Sequence, residues 1–204
     1  MSLTAYRSKR AFTETPEPVG QVRRSSRRRI FVVQKHDASR LHYDFRLAVN
    51  GALASWAVPK GPSMNPADKR LAVRTEDHPL EYAKFEGVIP PGQYGAGTVM
   101  VWDLGKYEPL ENRPLEEQLA DGKIGIVLQG EKLRGGFTLV QLENRSMNSS
   151  RRDNWLLIKT RDEYADPSWD IESVRIDRSV LTGRRLKEIK DGKPAKPRLG
   201  RRRV

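Results

Sequence analysis

The feature that most constrains the fold is the unbroken apolar–polar alternation over residues 41–49, which ends at an Asn-Gly dipeptide. Successive side chains of a strand point to opposite faces, so this alternation predicts a strand with one apolar face. That face consists of Leu41, Tyr43, Phe45, Leu47 and Val49. Asn50-Gly51 tolerates the positive φ angles of a type I′ turn, and residues 52–58 supply a return strand. The pattern predicts an antiparallel β-hairpin.

Further short apolar runs follow, separated by turn-forming residues. We predict strands at residues 71–75, 98–102, 123–128, 137–142 and 155–160, after an opening apolar run at residues 31–33. Helical signals are restricted to residues 114–120 and to a short turn that begins at His78. Many short strands with frequent turns favour an antiparallel sheet, either closed into a barrel or folded as a sandwich. The predicted fold class is therefore mainly β.

The positive charge is concentrated at the two ends of the chain. Residues 1–29 contain 8 basic and 2 acidic side chains, and residues 184–204 contain 10 and 2, whereas the whole chain has 38 and 26. The net charge of +12 at pH 7 thus belongs to the ends, because the remaining 154 residues carry a net −2. We predict a basic N-terminal arm (1–29), one folded domain (30–183) and a basic C-terminal tail (184–204), with both tails disordered.

The basic ends suit a polyanion. Runs such as residues 23–29 and 201–203 favour nucleic acid, because each neutralised phosphate releases condensed counterions. A solvated tail without a dedicated ligand is the alternative. The absence of cysteine excludes disulfides and thiolate metal sites. Since no apolar stretch approaches the length of a spanning helix and the N-terminus has no signal-peptide core, we expect a cytoplasmic protein without membrane contact.

A group of candidate metal ligands lies on the polar face of the first predicted hairpin strand. In an extended strand His42, Asp44 and Arg46 point the same way, about 6.6–7 Å apart from one to the next. Together with His36, the first two form a two-His, one-carboxylate set, which suits Mn, Fe, Co or Zn. Arg46 can hold a phosphate beside the metal. The alternatives are an ordinary polar sheet face and a salt bridge between Arg46 and Asp44.

A second cluster begins at His78. If Pro79 opens a helical turn, His78 and Tyr82 lie four residues apart on one face and can both donate hydrogen bonds to phosphate oxygens. His78 is then a candidate proton donor at neutral pH. A His-Pro pair that simply starts a helix is the alternative. The Gly-rich residues 87–97 lack the ending of a P-loop and predict tight turns beside the site.

Several blocks of the chain, in one order, resemble the 3′-phosphoesterase domain of bacterial DNA ligase D. The blocks read FVVQKH at 31–36, HYDFRL at 42–47, SWAVPKGP at 55–62, DHPLEY at 77–82, FEGVIP at 85–90 and YG at 94–95. The resemblance runs from about residue 6 to about residue 160. It implies a compact antiparallel β-barrel and work on DNA ends in non-homologous end joining.

The resemblance also implies an activity and a set of roles. Members of the family use Mn²⁺, with Co²⁺ or Zn²⁺ as possible substitutes, to remove a 3′-terminal ribonucleoside and then the 3′-phosphate, leaving a 3′-OH. The implied metal ligands are His36, His42 and Asp44. The implied phosphate-holding residues are Arg46, His78 and Tyr82. The implied supporting residues are Arg10, Glu17, Gln34 and Arg70.

One position departs from the family pattern. Ala11 follows Lys9-Arg10, where the family often has an aspartate, while Arg10 and Glu17 are present. Since the acidic and basic residues of this arm assist removal of the ribonucleoside, we expect Ala11 to weaken that step and to leave the metal site complete.

The resemblance implies partners as well. They are DNA primer-template ends that carry a ribonucleotide or a 3′-phosphate, together with a DNA ligase, a polymerase and a Ku-type end-joining protein. We expect a monomer associated with the nucleoid. The competing interpretations are a non-catalytic nucleic-acid-binding repair module and a metal-dependent phosphoesterase that acts on RNA ends.

Deletion of residues 1–22 and 184–204 is expected to weaken DNA binding and to flatten its salt dependence, because basic side chains in these segments neutralise phosphates. The measurement is the dissociation constant for a primer-template over a salt series. An unchanged slope in the truncated chain would show that the surface of the folded domain binds the DNA.

Overall fold

The computed structural model describes residues 2–21, 29–142 and 154–195. The strands are β1 (Ile30–Asp37), β2 (Leu41–Val49), β3 (Ala52–Val58), β4 (Lys69–Arg74), β5 (His78–Pro79), β6 (Gly87–Ile89), β7 (Gly97–Pro109), β8 (Lys123–Gln129), β9 (Arg134–Gln141) and β10 (Asn154–Lys159). The helices are α1 (Thr4–Ser8), a 3₁₀ helix (Leu80–Lys84), α2 (Leu115–Ala120) and α3 (Leu186–Lys190). The predicted β class with a few short helices is confirmed.

The strands form a closed antiparallel barrel. Eight strands follow one another in the order β1-β2-β3-β4-β10-β9-β8-β7, and β7 pairs again with β1 to close the ring. The short strands β6 and β5 pair with β7 and β3. Closure leaves the eight barrel strands without a free edge, which removes the exposed backbone groups that invite aggregation.

The predicted hairpin is confirmed in both strands and in its turn. Strands β2 and β3 pair in register from Val49 opposite Ala52, and Asn50 and Gly51 have φ angles of 44° and 79°. Strand β7 is much longer than the predicted 98–102, because its first part pairs with β6 and β1 and its last part pairs with β8. Each partner strand forms backbone hydrogen bonds with part of β7, so the strand extends beyond the residues that the local apolar pattern marks.

Apolar side chains form two separate clusters, one on each face of the barrel wall. The inner cluster fills the barrel and contains the large aromatic side chains Tyr43, Phe45, Trp56 and Trp102. The outer cluster lies against the outer face of β1, β2, β3 and β7 and includes Tyr6, Val32, Leu53, Leu80, Tyr82, Val101 and Val180. Strands β1 and β2 are therefore covered on both faces, which buries the polar side chains between the outer apolar residues.

The N-terminal segment is part of the folded unit. Tyr6 in α1 is fully buried in the outer cluster, and its hydroxyl donates a 2.7 Å hydrogen bond to the carbonyl oxygen of Pro18. The expectation of disordered tails is therefore wrong for residues 2–21, whose apolar side chains cover the barrel, and for residues 184–195, where Ile189 of α3 packs in the inner cluster. Residues 22–28, which hold most of the basic run, and residues 196–204 lie outside the described residues.

The burial of Tyr6 affects how DNA binding by the basic ends should be tested. Deletion of residues 1–22 removes Tyr6 as well as basic charge, so deletion of residues 196–204 is the cleaner test of DNA binding by a tail.

In the described part of the chain, no helix has the length and apolar character needed to cross a membrane.

Strand β7 begins in close contact with the end of β1. Gly97 has a φ of 147°, and a Cβ atom at this position would lie 2.3 Å from the carbonyl oxygen of Asp37. Only glycine allows this approach, because it has neither a Cβ atom nor a preference for negative φ. The contact fixes β7 against the strand that carries His36.

Substitution of Gly97 by alanine is expected to lower the free energy of unfolding by about 2–5 kcal/mol, from backbone strain and overpacking together. The matched control is Gly92→Ala, since Gly92 also has a positive φ but no atom within 4 Å of its added Cβ. That variant should lose only about 1–2 kcal/mol. Urea unfolding followed by tryptophan fluorescence measures both values, and equal losses would contradict the steric argument.

Candidate metal and phosphate site

The candidate site lies on the outer face of β1, β2 and β3, beside the outer apolar cluster. The relevant cross-strand neighbours are Gln34 and Asp44, His36 and His42, and Arg46 and Ser55. All six side chains point away from the barrel interior, because the alternate residues Val33, Tyr43, Phe45 and Trp56 belong to the inner cluster. The predicted common face of His42, Asp44 and Arg46 is confirmed.

Backbone carbonyl groups orient both histidine rings. His36 Nε2 lies 2.9 Å from the carbonyl oxygen of Gly95, and His42 Nδ1 lies 2.9 Å from that of Arg40. Because a carbonyl oxygen only accepts, each of these ring nitrogens carries the proton. The lone pairs of His36 Nδ1 and His42 Nε2 remain available for a cation. A metal-binding histidine usually donates its other ring N–H to a carbonyl or carboxylate oxygen, as both rings do in this site.

Asp44 completes a compact ligand group. Its two carboxylate oxygens lie 3.5 Å from His36 Nδ1 and 3.7 Å from His42 Nε2. The three candidate ligand atoms all lie within 4.8 Å of one another, so a small inward shift of the side chains would place all three at the roughly 2.0–2.2 Å that one ion requires. Two imidazoles and one carboxylate, without sulfur, fit a divalent transition metal and leave positions for water and substrate.

The carboxyl group of Asp44 is held in its charged form. Burial opposes ionisation, but the neighbouring Arg46 guanidinium outweighs it and holds the pKa of Asp44 well below its usual range. The carboxylate therefore stays ionised at neutral pH and can bind a cation.

Arg46 joins the ligand group to the second cluster. Its Nη2 lies 3.1 Å from Asp44, its Nε donates to Gln34 Oε1 at 2.8 Å, and its Nη1 lies 2.8 Å from His78 Nδ1. The salt bridge that was the alternative explanation of Arg46 is thus present. It does not exclude contact with a phosphate, because the guanidinium also faces His78.

Gln34 fixes this arrangement from β1. Its amide nitrogen donates to the carbonyl oxygens of Tyr82 and Phe85, at 3.1 and 2.9 Å. Its amide oxygen therefore faces Arg46 and orients the guanidinium. Gln34 is a supporting residue that touches both the barrel wall and the 3₁₀ helix.

His78 is buried in a strongly cationic environment. Burial lowers its pKa well below the ordinary value, and the neighbouring Arg46 and Arg10 lower it further. Both effects favour the neutral ring, and the role of His78 as a proton donor at neutral pH stays a prediction. His78 Nδ1 also lies 2.9 Å from the carbonyl oxygen of Glu76. A proton on Nδ1 would bond this carbonyl and leave Nε2 to accept from Arg10, whereas a proton on Nε2 leaves Nδ1 to accept from Arg46.

Arg10 and Glu17 bring the N-terminal segment into the site. Arg10 Nε donates to Glu17 at 2.9 Å, and Arg10 Nη2 lies 3.4 Å from His78 Nε2. The hydroxyl group of Tyr82 donates to the same Glu17 oxygen at 3.0 Å. Tyr82 is buried, so its pKa is raised well above the ordinary value and the hydroxyl keeps its proton. Tyr82 thus contacts Glu17 through its hydroxyl group, and its ring packs against Arg46 and His78.

Arg70 does not join this network. Its guanidinium donates to Asp68 at 2.7 Å. Ala72 packs in the barrel core, and Arg70, two residues earlier on β4, shares that side of the strand. The predicted supporting role of Arg70 therefore finds no contact with the candidate site among the described residues.

Two polar residues of the network escaped the sequence reasoning. Glu76 binds Arg10 Nη1 and Lys9 Nζ, each at 3.2 Å, and Ser55 Oγ lies 3.3 Å from His78 Nδ1. Glu76 could have been found only from its position two residues before His78. Ser55 lies on the polar face of β3 and gave no signal, because serine is common on strands.

The charges of the network favour an anion once a cation is bound. Its guanidinium groups are Arg10 and Arg46, and its carboxylates are Asp44, Glu17 and Glu76. Lys9, which also binds Glu76, brings the network to three positive and three negative groups, so a bound divalent ion would make it positive. A phosphate group would then be attracted to it.

Loss of one imidazole ligand should abolish high-affinity metal binding. Removal of a residue that only orients a metal ligand lowers metal affinity by roughly 10- to 100-fold. His42→Ala removes a ligand itself, so we expect it to lower the affinity for Mn²⁺ by more than this. Mn²⁺ should raise the Tm of the native chain through mass action but leave that of His42→Ala unchanged. Tyr82→Phe is the matched control and should keep the shift, because its hydroxyl contacts Glu17. A full shift in His42→Ala would refute the ligand assignment.

The chain is similar to known proteins over most of its length. The profile described as "DNA Ligase D 3'-phosphoesterase domain" matches residues 34–141. Proteins named "Multifunctional non-homologous end joining protein LigD" are similar over most of this chain, with 49% identity over 188 residues for the Pseudomonas aeruginosa protein and 43% over 166 residues for that of Mycolicibacterium smegmatis. A Mycobacterium tuberculosis relative, named "Multifunctional non-homologous end joining DNA repair protein LigD", is 40% identical over 173 residues.

The matched regions differ greatly in their share of each protein. They cover 90%, 79% and 84% of this chain, in the same order, but only 22%, 21% and 21% of the relatives. The chain therefore spans about a fifth of the length of these relatives. The matched profile covers both histidine ligands, Asp44, Arg46 and His78. The chain belongs to the family of DNA ligase D 3′-phosphoesterase domains, whose name describes hydrolysis of phosphate esters.

Proposed function

We propose that this chain is a metal-dependent phosphoesterase that repairs the 3′ ends of DNA during non-homologous end joining. The observation that carries the proposal is the contact between two sites on one face of the barrel. The His36, His42 and Asp44 group lies directly beside Arg46, which contacts His78. A cation position next to donors suited to phosphate is the arrangement that hydrolysis of a phosphate ester needs.

The proposed substrate is a primer-template whose 3′ end carries one ribonucleotide. In the first step water attacks phosphorus, and the bond from phosphorus to the 5′ oxygen of the ribonucleoside breaks. This releases the ribonucleoside with a 5′-OH and leaves a 3′-phosphate on the DNA. In the second step water attacks the same phosphorus, and the bond to the 3′ oxygen breaks, which gives inorganic phosphate and a 3′-OH.

The donors of the network have separate roles in this proposal. Arg46 contacts a non-bridging phosphate oxygen and stabilises the charge that develops there. Arg10 Nη2 lies 3.4 Å from His78 Nε2, and in the tautomer with the proton on Nε2 both groups are donors that one phosphate oxygen would satisfy. Glu17 and Tyr82 hold Arg10 in place. We assign His78 as a hydrogen-bond donor through Nε2, in the tautomer whose Nδ1 accepts from Arg46.

The cation would supply the remaining chemistry. Bound to His36, His42 and Asp44, it would lower the pKa of a bound water and polarise a phosphate oxygen. We propose Mn²⁺, because a mixed imidazole and carboxylate set with an oxygen-rich substrate suits this ion, and Co²⁺ or Zn²⁺ as substitutes.

The setting follows from the family and from the printed names of the relatives. We propose that the chain acts as a monomer, in the cytoplasm at the nucleoid, on ends that a DNA ligase, a polymerase and a Ku-type protein also handle. Arg10 and Glu17 support removal of the ribonucleoside, whereas Ala11 has no carboxylate to contribute. We therefore expect removal of the 3′-phosphate to be the faster step.

Two other functions compete with this proposal. A repair module without catalysis would need neither the oriented histidine rings nor the charged state of Asp44. A phosphoesterase for RNA ends would use the same cluster, and competition between DNA and RNA primer ends separates it from the proposed enzyme.

His42→Ala is expected to reduce both hydrolytic steps by about a thousand-fold or more, because a catalytic cation contributes several kcal/mol to transition-state stabilisation. The measurement uses a 5′-labelled primer-template with one 3′ ribonucleotide in Mn²⁺, and follows the 3′-phosphate and 3′-OH products separately. Activity of His42→Ala close to that of the native chain would refute the proposal.

Tyr82→Phe should be milder, with a loss of about 5- to 10-fold, because it removes one hydrogen bond to Glu17. A native chain that acts only on synthetic 3′-phosphate ends would lack the first step. A native chain inactive on both ends would favour the binding module.

A further inference from the structure

An exposed aromatic side chain lies at the rim of the candidate site. Tyr94 is 48% exposed on the turn between β6 and β7, and Tyr164 is the other tyrosine among the large exposed apolar side chains of the described residues, at 44%. The remaining residues of that set are aliphatic. Phe12, Phe85 and Trp169, in contrast, pack against the apolar clusters. The exposure of the Tyr94 ring beside a phosphate-type site therefore calls for a functional explanation.

The position of Tyr94 is tied to the metal ligands. The next residue, Gly95, accepts the hydrogen bond from His36 Nε2 at 2.9 Å. A Cβ atom on Gly95 would lie 3.9 Å from His36 Cε1. The turn that carries Tyr94 is thus in contact with the imidazole that we assign to the cation.

The N-terminal segment holds the same turn from the other side. Lys9 Nζ lies 3.2 Å from the Tyr94 hydroxyl and 4.5 Å from its ring centroid, and Arg10 lies 5.4 Å from that centroid. Glu14 accepts a 2.7 Å hydrogen bond from Gln93. Arg10 also approaches His78, so the ring lies within reach of the proposed phosphate position.

We propose that Tyr94 stacks against the nucleobase at the 3′ end of the substrate while Lys9 binds an adjacent phosphate. This inference rests on the proposed function, because it assumes a nucleotide at the site. An exposed aromatic ring next to cationic side chains is the arrangement that binds single-stranded nucleic acid without regard to sequence, since every base has a π face. Tyr94 therefore binds the end through its terminal base, and the phosphate network binds the reacting group.

The alternative is that Tyr94 only fastens the N-terminal segment through its hydroxyl group and Lys9. The two roles depend on different parts of the side chain. Tyr94→Phe keeps the ring and removes the hydroxyl contact with Lys9, whereas Tyr94→Ala removes both. Tyr164→Ala is the matched control. Tyr164 lies on the turn after β10, is similarly exposed, and lines the same cavity as a basic side chain, Arg134.

The test measures binding without turnover. Dissociation constants are determined in EDTA by fluorescence anisotropy for two primer-templates that end in a 3′-phosphate, one with an unpaired terminal base and one with an abasic terminal sugar. The native chain should prefer the end with the base by about 5- to 100-fold. Tyr94→Ala should lose the preference, and Tyr94→Phe and Tyr164→Ala should keep it.

Kinetics in Mn²⁺ provide the second readout. Tyr94→Ala should raise KM for the end with a base by about the same factor and leave its KM for the abasic end and its kcat nearly unchanged. Equal binding of both ends by the native chain, or a preference retained in Tyr94→Ala, would overturn the inference. A preference for the base without any hydrolysis would instead refute the proposed function and leave base recognition intact.

Discussion

The pairing of β1 with β2 is the interaction on which the rest of the molecule depends. Its register sets His36 opposite His42 and Gln34 opposite Asp44, while Phe45 packs inside the barrel. Because strand side chains alternate with a period of two, a slip by one residue would turn the polar set into the core and the aromatic set outwards. Burial of the aromatic side chains thus enforces the register, and the register assembles the candidate metal ligands.

The second constraint is the compensation of buried charge. Arg10, Glu17 and Arg46 are buried together, and an unpaired charge in such a place costs several kcal/mol. Each guanidinium has a carboxylate partner, and Arg10 binds both Glu17 of its own N-terminal segment and Glu76, which precedes β5. Folding of this segment onto the barrel and completion of the site are therefore one event, which links the outer apolar cluster around Tyr6 to the proposed chemistry.

Much of the site could be predicted because its residues repeat at intervals of two on a strong strand pattern. His42, Asp44 and Arg46 needed only the alternation of β2, and the turn at Asn50-Gly51 needed only local backbone preferences. The burial of residues 2–21 could not be predicted, because Tyr6 is an isolated aromatic residue in a polar and Pro-containing segment. Arg70 was misplaced because family likeness carries no information about which side of β4 it faces.

The sequence by itself determined the β class, the hairpin, the identity of the candidate ligands and the family. These follow from residue types and short-range periodicity, which act within a few residues. Only the tertiary structure decided that the site lies on the outer face of the barrel, that Glu76 and Ser55 belong to it, and that burial lowers the pKa of His78. Such properties depend on which distant segments exclude water from a side chain and bring charges beside it, so they arise only when the chain is folded.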